Sequence, residues 1–140
     1  MNKLARIHIL SNTEMLKPLR QFVCELKEKI SCTQKNIEDL RVALNEACMN
    51  VIQHAYKNRN DEEIVIEFWV NKNTIEIKVI DSADAVDIES IKSRALDDVR
   101  PGGLGVHFIH QVMDSVEYKN NTNGKGNVLV MRKALEIIDD

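Results

Sequence analysis

The sequence has few cysteines, and their spacing fits neither a metal site nor a redox site. Cys24, Cys32 and Cys48 are odd in number and form no metal-binding or redox motif. Two of them fall in predicted helices, where packing is the usual role of a free cysteine. The pattern is typical of reduced cysteines in a cytoplasmic protein.

Long apolar runs and runs of one charge are also absent. No stretch approaches the roughly 18 apolar residues of a membrane span, and the N-terminal apolar run is too short for a signal peptide. The 19 Lys and Arg form no long basic run and are balanced by 22 Asp and Glu, so nothing indicates binding to a phosphate backbone. We therefore expect a cytoplasmic protein that binds neither membrane nor nucleic acid.

What is present fits one globular domain. The chain has 140 residues, 44% of them hydrophobic, which is enough for one core, and we expect residues 1–140 to form a single domain. Residue spacing predicts the order strand, helix, helix, strand, strand, short helix (near residues 87–95), helix, strand, strand. This order predicts an α+β fold, in which a mixed or antiparallel sheet has helices on one face.

Capping residues predict where the first two helices begin. Ser11 and Glu14 match a capping box, which places the start of the first helix at Ser11. Pro18 cannot donate to the helical hydrogen-bond ladder, so this helix either kinks there or has an irregular first turn. Thr33 is predicted to cap the second helix, which runs to about Asn58.

Three polar side chains recur along the second helix, in the stretch NEACMNVIQHAY. Glu46, Asn50 and His54 lie at every fourth position, so the helical period places them in one file beside the apolar stripe. A carboxylate and an amide one turn apart suit a hard divalent cation and its waters. A carboxylate there can also take a proton from an attacking hydroxyl. The alternative, which spacing alone favours, is a solvated flank with an i,i+4 hydrogen bond.

Two further stretches have residues suited to a nucleotide. Gly102, Gly103 and Gly105 lie directly before an apolar helix, and backbone N–H groups of such a turn bind phosphate. Asp81 ends a predicted strand, where its carboxylate can accept a hydrogen bond from the exocyclic amine of adenine. A flexible loop and an ordinary turn are the respective alternatives, so neither stretch identifies a nucleotide site alone.

Taken in order, the three stretches resemble the N, G1 and G2 boxes of the GHKL ATPase superfamily, which includes gyrase, Hsp90, MutL and the catalytic domains of histidine kinases. The pattern E-A-x-x-N-x-x-x-H-A-Y is similar to that of the anti-sigma-factor serine kinases of the RsbW and SpoIIAB type. The resemblance extends over about residues 3–135. It implies the Bergerat fold, a two-layer α/β sandwich with a mixed, mostly antiparallel sheet, and it implies a homodimer.

The resemblance also implies roles for individual residues. Glu46 would be the general base that activates the attacking hydroxyl, and Asn50 would be the protein ligand to the Mg²⁺ that bridges the ATP phosphates. Asp81 would bind the adenine amine, and His54 would orient the end of the helix. The other positions expected at the bound ATP or ADP are Ala83, Arg100, Gly102, Gly103, Leu104, Gly105, Val106 and Asn127.

The activity implied by the resemblance is transfer of the γ-phosphoryl group of ATP to a serine of an anti-anti-sigma (STAS-type) partner, together with sequestration of a sigma factor. Phosphoryl transfer needs mainly positioning and charge neutralisation, so a metal, a base and a backbone cradle are sufficient for it. A histidine-kinase catalytic domain is disfavoured, because no phosphoacceptor helix precedes residue 33.

Departures from the family pattern leave a second hypothesis open. Ala83 and Ala85 stand where the G1 box has glycines, and Asn127 replaces the threonine that commonly follows the glycine of the last strand pair. The methyl group of Ala83 lies where adenine approaches the backbone, and alanine disfavours a positive φ. The alternative function is a protein-interaction module, nucleotide-binding or nucleotide-free, without kinase activity.

Overall fold

The computed structural model of the chain describes residues 1–84, 104–120 and 125–136, and the predicted short helix near residues 87–95 lies outside these ranges. A 3₁₀ turn precedes the first α-helix and a π-helical turn follows the second. The elements in chain order are β1 (Asn2–Leu10), the 3₁₀ turn (Thr13–Met15), α1 (Leu16–Ile30), α2 (Gln34–Asn50), the π turn (Val51–Ala55), β2 (Glu63–Val70), β3 (Thr74–Asp84), α3 (Leu104–Val112), β4 (Ser115–Asn120) and β5 (Lys125–Ala134).

The five strands form one sheet in the order β1-β2-β3-β5-β4, and every pairing between neighbours is antiparallel. Of the two predicted forms, mixed or antiparallel, the antiparallel one is present in the described residues. The register places Asp81, near the end of the central strand β3, opposite Ile64 of β2 and Asn127 of β5. Three strands therefore meet where the G1-type aspartate lies.

The helices cover one face of the sheet, which confirms the predicted α+β fold. Ile66, Phe68 and Ile77 point to that face and are fully buried, together with Leu40 and Leu44 of α2. Removing such side chains from water is the main favourable term in folding. In the described part of the chain, none of the helices is long and apolar enough to cross a membrane.

The other face of the sheet carries charged side chains around one indole. Trp69 follows the buried Phe68, so the two aromatic side chains lie on opposite faces as predicted. The ammonium groups of Lys3 and Lys78 lie 5.1 and 5.0 Å from the Trp69 ring, and its Nε1 donates to Glu67 at 3.0 Å. Lysines at these distances gain a cation–π attraction. This face is therefore stabilised by polar contacts, whereas the helical face is apolar.

The predicted capping box at Ser11 is wrong. The Ser11 side chain is buried, and its hydroxyl donates to the Arg59 carbonyl oxygen at 2.5 Å and accepts from the Glu62 N–H at 3.1 Å. Both partners belong to the connection that leads into β2. The hydroxyl therefore joins the end of β1 to a segment about fifty residues away in sequence and takes no part in capping a helix.

The cap next to α1 is Asn12. Its side chain accepts a hydrogen bond from the Glu14 N–H at 2.9 Å, and the 3₁₀ turn that it caps runs directly into α1 at Leu16. Pro18 thus lies in the first turn of α1, where an N–H group would have no partner within the helix. Of the two predicted outcomes for Pro18, the irregular first turn is the one observed.

The start of α2 agrees with prediction, and its end does not. Thr33 caps α2, because its hydroxyl accepts a hydrogen bond at 3.2 Å from the N–H three residues later. The α-helix ends at Asn50 and continues as the π turn, which is closed by a 2.8 Å bond from the Tyr56 N–H to the Val51 carbonyl. Helical structure therefore ends slightly before the predicted boundary, in a wider turn.

Candidate functional site

The N-box pair occupies the last turns of α2. Glu46 and Asn50 are both half-buried and lie one helical turn apart, next to Ala47 and Cys48, which are fully buried. Among the described residues, neither polar side chain makes a hydrogen bond or an ion pair, so the i,i+4 bond of the alternative interpretation is absent. A partly buried polar group without a protein partner has lost part of its hydration and gains no hydrogen bond in exchange. Within the described chain, the hydrogen-bonding capacity of both side chains is therefore unused.

His54 lies beyond the α-helical part of the predicted file. Glu46 and Asn50 are aligned by the α-helix, but His54 lies in the π turn, where each turn is wider and bonding runs from i to i+5. The imidazole is exposed and has an interaction within the protein. The α-helix therefore aligns the first two residues of the predicted file, and the third lies in the π turn that follows. Single π turns inside helices occur frequently at functional sites.

The donor set suits a magnesium ion better than a metal held in a protein cage. The described residues contain no group of three or more His, Cys, Asp or Glu that could hold a metal ion. Magnesium keeps several waters and binds through one or two protein oxygens plus substrate phosphates. The amide oxygen of Asn50 is a ligand of that kind, so the residues present fit Mg²⁺ carried by a nucleotide.

Asp81 is a buried carboxylate with defined partners. Only 5% of the residue is exposed, and its Oδ1 accepts hydrogen bonds from the Ala83 N–H and from the Asn127 side-chain amide, both at 3.0 Å. Burial raises the pKa of the carboxyl above its ordinary value, while the hydrogen bonds from Asn127 and Ala83 partly oppose that rise. An acceptor that is costly to bury is thus held in place at the strand end.

Asn127 is part of this arrangement. Its Nδ2 donates to Asp81 and also to the Asp84 carbonyl oxygen at 3.1 Å, while its Oδ1 accepts from the Asn120 side-chain amide at 2.9 Å. The residue itself is buried. Sequence reasoning predicted contact between Asn127 and adenine. The structure adds a direct bond from Asn127 to the aspartate.

Ala83 lies in a β-bulge. The register between β3 and β5 shifts between Asp81 and Asp84, so Ser82 and Ala83 together oppose Gly126. Gly126 has a φ of 99°, whereas Ala83 is not among the non-glycine residues with positive φ. The expectation that alanine is disfavoured here by its backbone conformation is therefore wrong. Bulges next to active sites redirect side chains, and here the left-handed residue is the glycine across the ladder.

Tyr56 is a functional candidate that sequence reasoning left without a role. It is 1% exposed, and its hydroxyl donates to the Glu63 carbonyl oxygen at 2.5 Å and accepts from the Ser82 N–H at 2.8 Å. Burial also raises the pKa of its phenol. The side chain thus connects the end of the N-box helix to β2 and to the residue that follows Asp81. Its place in the N-box pattern was the available signal.

We predict that Tyr56→Phe weakens both the fold and nucleotide binding. The change removes the partner of the Ser82 N–H and of the Glu63 carbonyl, both in part-buried hydrogen bonds, which costs about 1 kcal/mol in the free energy of unfolding. ADP binding should weaken several-fold, because the backbone beside Asp81 loses its anchor. Urea denaturation and isothermal titration calorimetry measure the two effects.

Ser11→Ala is the matched control for Tyr56→Phe. It also removes a buried bridging hydroxyl, but one whose partners precede β2. It should lower stability without changing the dissociation constant for ADP. Equal losses of ADP affinity in both variants would show that Tyr56 acts only through overall stability.

A cleft of about 690 Å³ opens beside this end of β3. Its volume lies in the range of small-molecule sites. The lining residues come from the π turn, from the connection to β2, and from the ends of β3 and β5; they are His54, Ala55, Tyr56, Lys57, Arg59, Glu62, Ser82, Asp84 and Lys125. Space for a ligand therefore adjoins the strand end that bears Asp81.

The glycine-rich stretch is only partly within the described residues. Ala85, Arg100, Gly102 and Gly103 lie outside them. Leu104, Gly105 and Val106 form the first residues of α3, so the helix predicted from Leu104 to Met113 is present, with its last residue at Val112.

The chain is similar to known proteins along most of its length. Residues 9–133 match the family of histidine kinase-like ATPase domains. The serine-protein kinase RsbW of Bacillus velezensis is 32% identical over 115 residues, which cover 76% of this chain and 70% of that protein. The protein of the same name from Bacillus subtilis is 31% identical over 125 residues, with 84% and 76% covered.

Solved structures share the fold at low identity. A chain of the SiaB–SiaC complex from Pseudomonas aeruginosa superposes with a TM-score of 0.66 at 11% identity and covers 96% of this chain and 91% of its own. The structure of the RsbU and RsbW domains of a Mycobacterium tuberculosis protein gives 0.65 at 14% identity, over 97% of this chain and 35% of that one. At these identities the likeness shows the fold alone.

Proposed function

The chain belongs to the family of histidine kinase-like ATPase domains, among relatives named serine-protein kinase RsbW, and from this premise we propose that it is an ATP-dependent protein serine kinase. Membership of the family implies ATP binding. The proposal rests above all on Glu46 and Asn50, two half-buried polar side chains without protein partners in the described chain. The buried carboxylate of Asp81 adds the element needed for adenine.

The proposed division of roles follows from the chemistry of each group. Asp81 accepts a hydrogen bond from the adenine amine, and Asn50 holds Mg²⁺ through its amide oxygen. Bound Mg²⁺ neutralises charge on the ATP phosphates. Glu46 takes the proton of the attacking serine hydroxyl, whose oxygen bonds to the γ-phosphorus as the bond from that phosphorus to the ADP oxygen breaks.

The proposal extends to the domain and subunit state, the partner proteins and the other contacts to the nucleotide. Residues 1–140 act as one domain and as a homodimer. The phosphoryl acceptor is a serine of an anti-anti-sigma (STAS-type) protein, and a sigma factor is the sequestered partner. The remaining positions proposed at the nucleotide are His54, Ala83, Arg100, Gly102, Gly103, Leu104, Gly105, Val106 and Asn127.

One observation supports the second candidate, a protein-interaction module without kinase activity. Ala83 is 5% exposed and belongs to the buried core, two residues from Asp81. If adenine has to approach the backbone at this point, the methyl group fills part of that space. A nucleotide-free module would then keep the fold and lose the activity, so binding of nucleotide by the wild-type chain separates the two candidates.

Calorimetric titration with ATP and ADP, with and without Mg²⁺, is the deciding experiment. We expect the wild-type chain to bind both nucleotides, with tighter ATP binding when Mg²⁺ is present. Asn50→Ala removes a magnesium ligand, so the gain from Mg²⁺ should fall by about tenfold. No binding of either nucleotide by the wild-type chain would overturn the kinase proposal and leave the interaction module.

Asn45→Ala is the control for the loss of an amide from the same helix. The Asn45 amide oxygen accepts from Arg20 at 2.7 Å and therefore has a protein partner instead of a ligand. Its removal should leave the effect of Mg²⁺ unchanged. A loss equal to that in Asn50→Ala would mean that any amide of this helix supports the site, which would remove Asn50 from the metal role.

A further inference from the structure

We propose that Asn127, held by Asn120, is the positioning residue that fixes the acceptor orientation of Asp81 and thereby makes the site select adenine against guanine. The inference rests on the proposed function, in which Asp81 meets the nucleobase. It depends on three side chains from three different strands, namely Asn120 of β4, Asn127 of β5 and Asp81 of β3.

The amide of Asn127 can adopt only one orientation. Its nitrogen donates at 3.0 Å to the Asp81 carboxylate and at 3.1 Å to the Asp84 carbonyl, and its oxygen accepts at 2.9 Å from the Asn120 amide. A flipped amide would turn its oxygen towards the carboxylate and the carbonyl, and neither of these groups can donate. The Asn120 amide adds a third contact that favours the same orientation.

The carboxylate is fixed in turn. Both the Asn127 amide and the Ala83 N–H donate to the same oxygen, Oδ1. Neither of these two bonds uses Oδ2, which is the oxygen that meets the base in the proposed function. A carboxylate held at one oxygen has lost much of its rotational freedom before a ligand arrives, and such preorganisation reduces the entropy cost of binding.

Asn127 also favours the charged form of the aspartate. Burial raises the pKa of the Asp81 carboxyl, and the hydrogen bond from the Asn127 side chain is the largest influence that opposes the rise. A charged carboxylate only accepts hydrogen bonds. It therefore matches the 6-amino group of adenine and repels the 6-oxo group of guanine, and discrimination between the bases depends on Asn127 through Asp81.

The number of donors at position 127 matters, because a hydroxyl in this place would donate only a single hydrogen bond. Asn127 donates two, one to Asp81 and one to the Asp84 carbonyl on the far side of the bulge. In this chain the same side chain thus holds the aspartate and the end of its strand.

The test compares two substitutions of equal shape. Asn127→Val removes every donor, whereas Asn127→Thr keeps one hydroxyl in a side chain of nearly the same volume. Titration with ADP and GDP measures the base alone, since the two ligands carry the same phosphates. We expect Asn127→Val to bind ADP about tenfold more weakly with little change for GDP, and Asn127→Thr to stay within about threefold of wild type for both.

A second variant changes Asn120, the exposed residue that holds the Asn127 amide. Asn120→Asp replaces the donor opposite the Asn127 oxygen with an acceptor, which repels that oxygen and displaces the Asn127 amide from its position beside Asp81. Because Asn120 is exposed, the fold should tolerate the change. The ratio of GDP to ADP dissociation constants should fall as it does in Asn127→Val.

The outcomes separate this inference from the proposed function. A wild-type chain that binds neither ADP nor GDP overturns the proposed function. A wild-type chain that binds ADP, with equal base selectivity in Asn127→Val and Asn127→Thr, overturns the inference alone. A loss in the valine variant that the threonine variant restores supports it, because packing alone would treat the two shapes alike.

Discussion

Replacing Glu46 with glutamine is expected to abolish phosphoryl transfer while nucleotide binding survives. Glutamine has the size and polarity of glutamate, but its amide cannot take up the proton of an attacking hydroxyl. General base catalysis contributes about 10²–10⁴-fold, so the rate of transfer to a partner serine should fall by about that factor. Glu46 is half-buried and has no ion pair within the described residues, so the free energy of unfolding should change by less than about 0.5 kcal/mol.

The measurement is a transfer assay with radiolabelled ATP and an anti-anti-sigma protein of the STAS type. Calorimetry with ADP follows binding separately, so that the two effects are not confused. Glu38→Gln is the control, because Glu38 is an exposed glutamate two turns earlier on α2. Transfer should be unchanged in the control. Undiminished transfer in Glu46→Gln would remove Glu46 from the base role, and a joint loss of binding would assign it a structural role instead.

The layers of the fold could be predicted because alternation in β2 and β3 is unambiguous. Phe68 is fully buried and Glu67 and Trp69 lie on the other face, as a period of two requires. The position of the first helical cap could not be predicted in the same way. Ser11 and Asn12 are both good capping residues, and Ser11 is engaged instead by partners 48 and 51 residues away.

The candidate site likewise contains residues that a local pattern predicts and contacts that it does not predict. Glu46, Asn50 and Asp81 can be named from local pattern, since each lies in a short stretch with a recognisable spacing. The bond from Asn127 to Asp81 joins residues 46 positions apart, and it depends on the register of β3 against β5 and on the bulge between them. The role of Tyr56 depends likewise on where two strands end relative to the helix. Sheet register is decided by all the strands together, and a single stretch of sequence does not contain it.

Replacing Asp81 with asparagine should abolish adenine nucleotide binding and leave the free protein at least as stable as wild type. The asparagine oxygen can still accept from Ala83 and Asn127, so the local hydrogen bonds survive. The other oxygen is replaced by an amino group. This group and the adenine amine are both hydrogen-bond donors, so they repel each other. Loss of a bond to a charged acceptor, together with this repulsion, should weaken ADP binding by at least about 100-fold.

The effect on stability follows from the pKa. Burial raises the pKa of Asp81 in the folded chain above its ordinary value of 3.8. At pH values between 3.8 and the folded pKa, the folded state binds the Asp81 proton more strongly than the unfolded state does. The free energy of unfolding therefore falls as the pH rises through this range, and it stays low above the folded pKa. Asparagine removes that penalty. Thermal unfolding at pH 7 should therefore show an equal or higher Tm for Asp81→Asn, and the difference should shrink as pH falls through the folded pKa.

Asp39→Asn is the contrasting control, because Asp39 is also a buried aspartate but is paired with cations. Its carboxylate lies 3.3 Å from the Lys133 ammonium, which is itself largely buried, and 2.8 Å from that of Lys35. Removing one partner of a buried pair leaves the other charge uncompensated, so this variant should lose stability and keep its affinity for ADP. A stability loss in Asp81→Asn like that in Asp39→Asn, or undiminished ADP binding, would contradict the proposed contact between Asp81 and adenine.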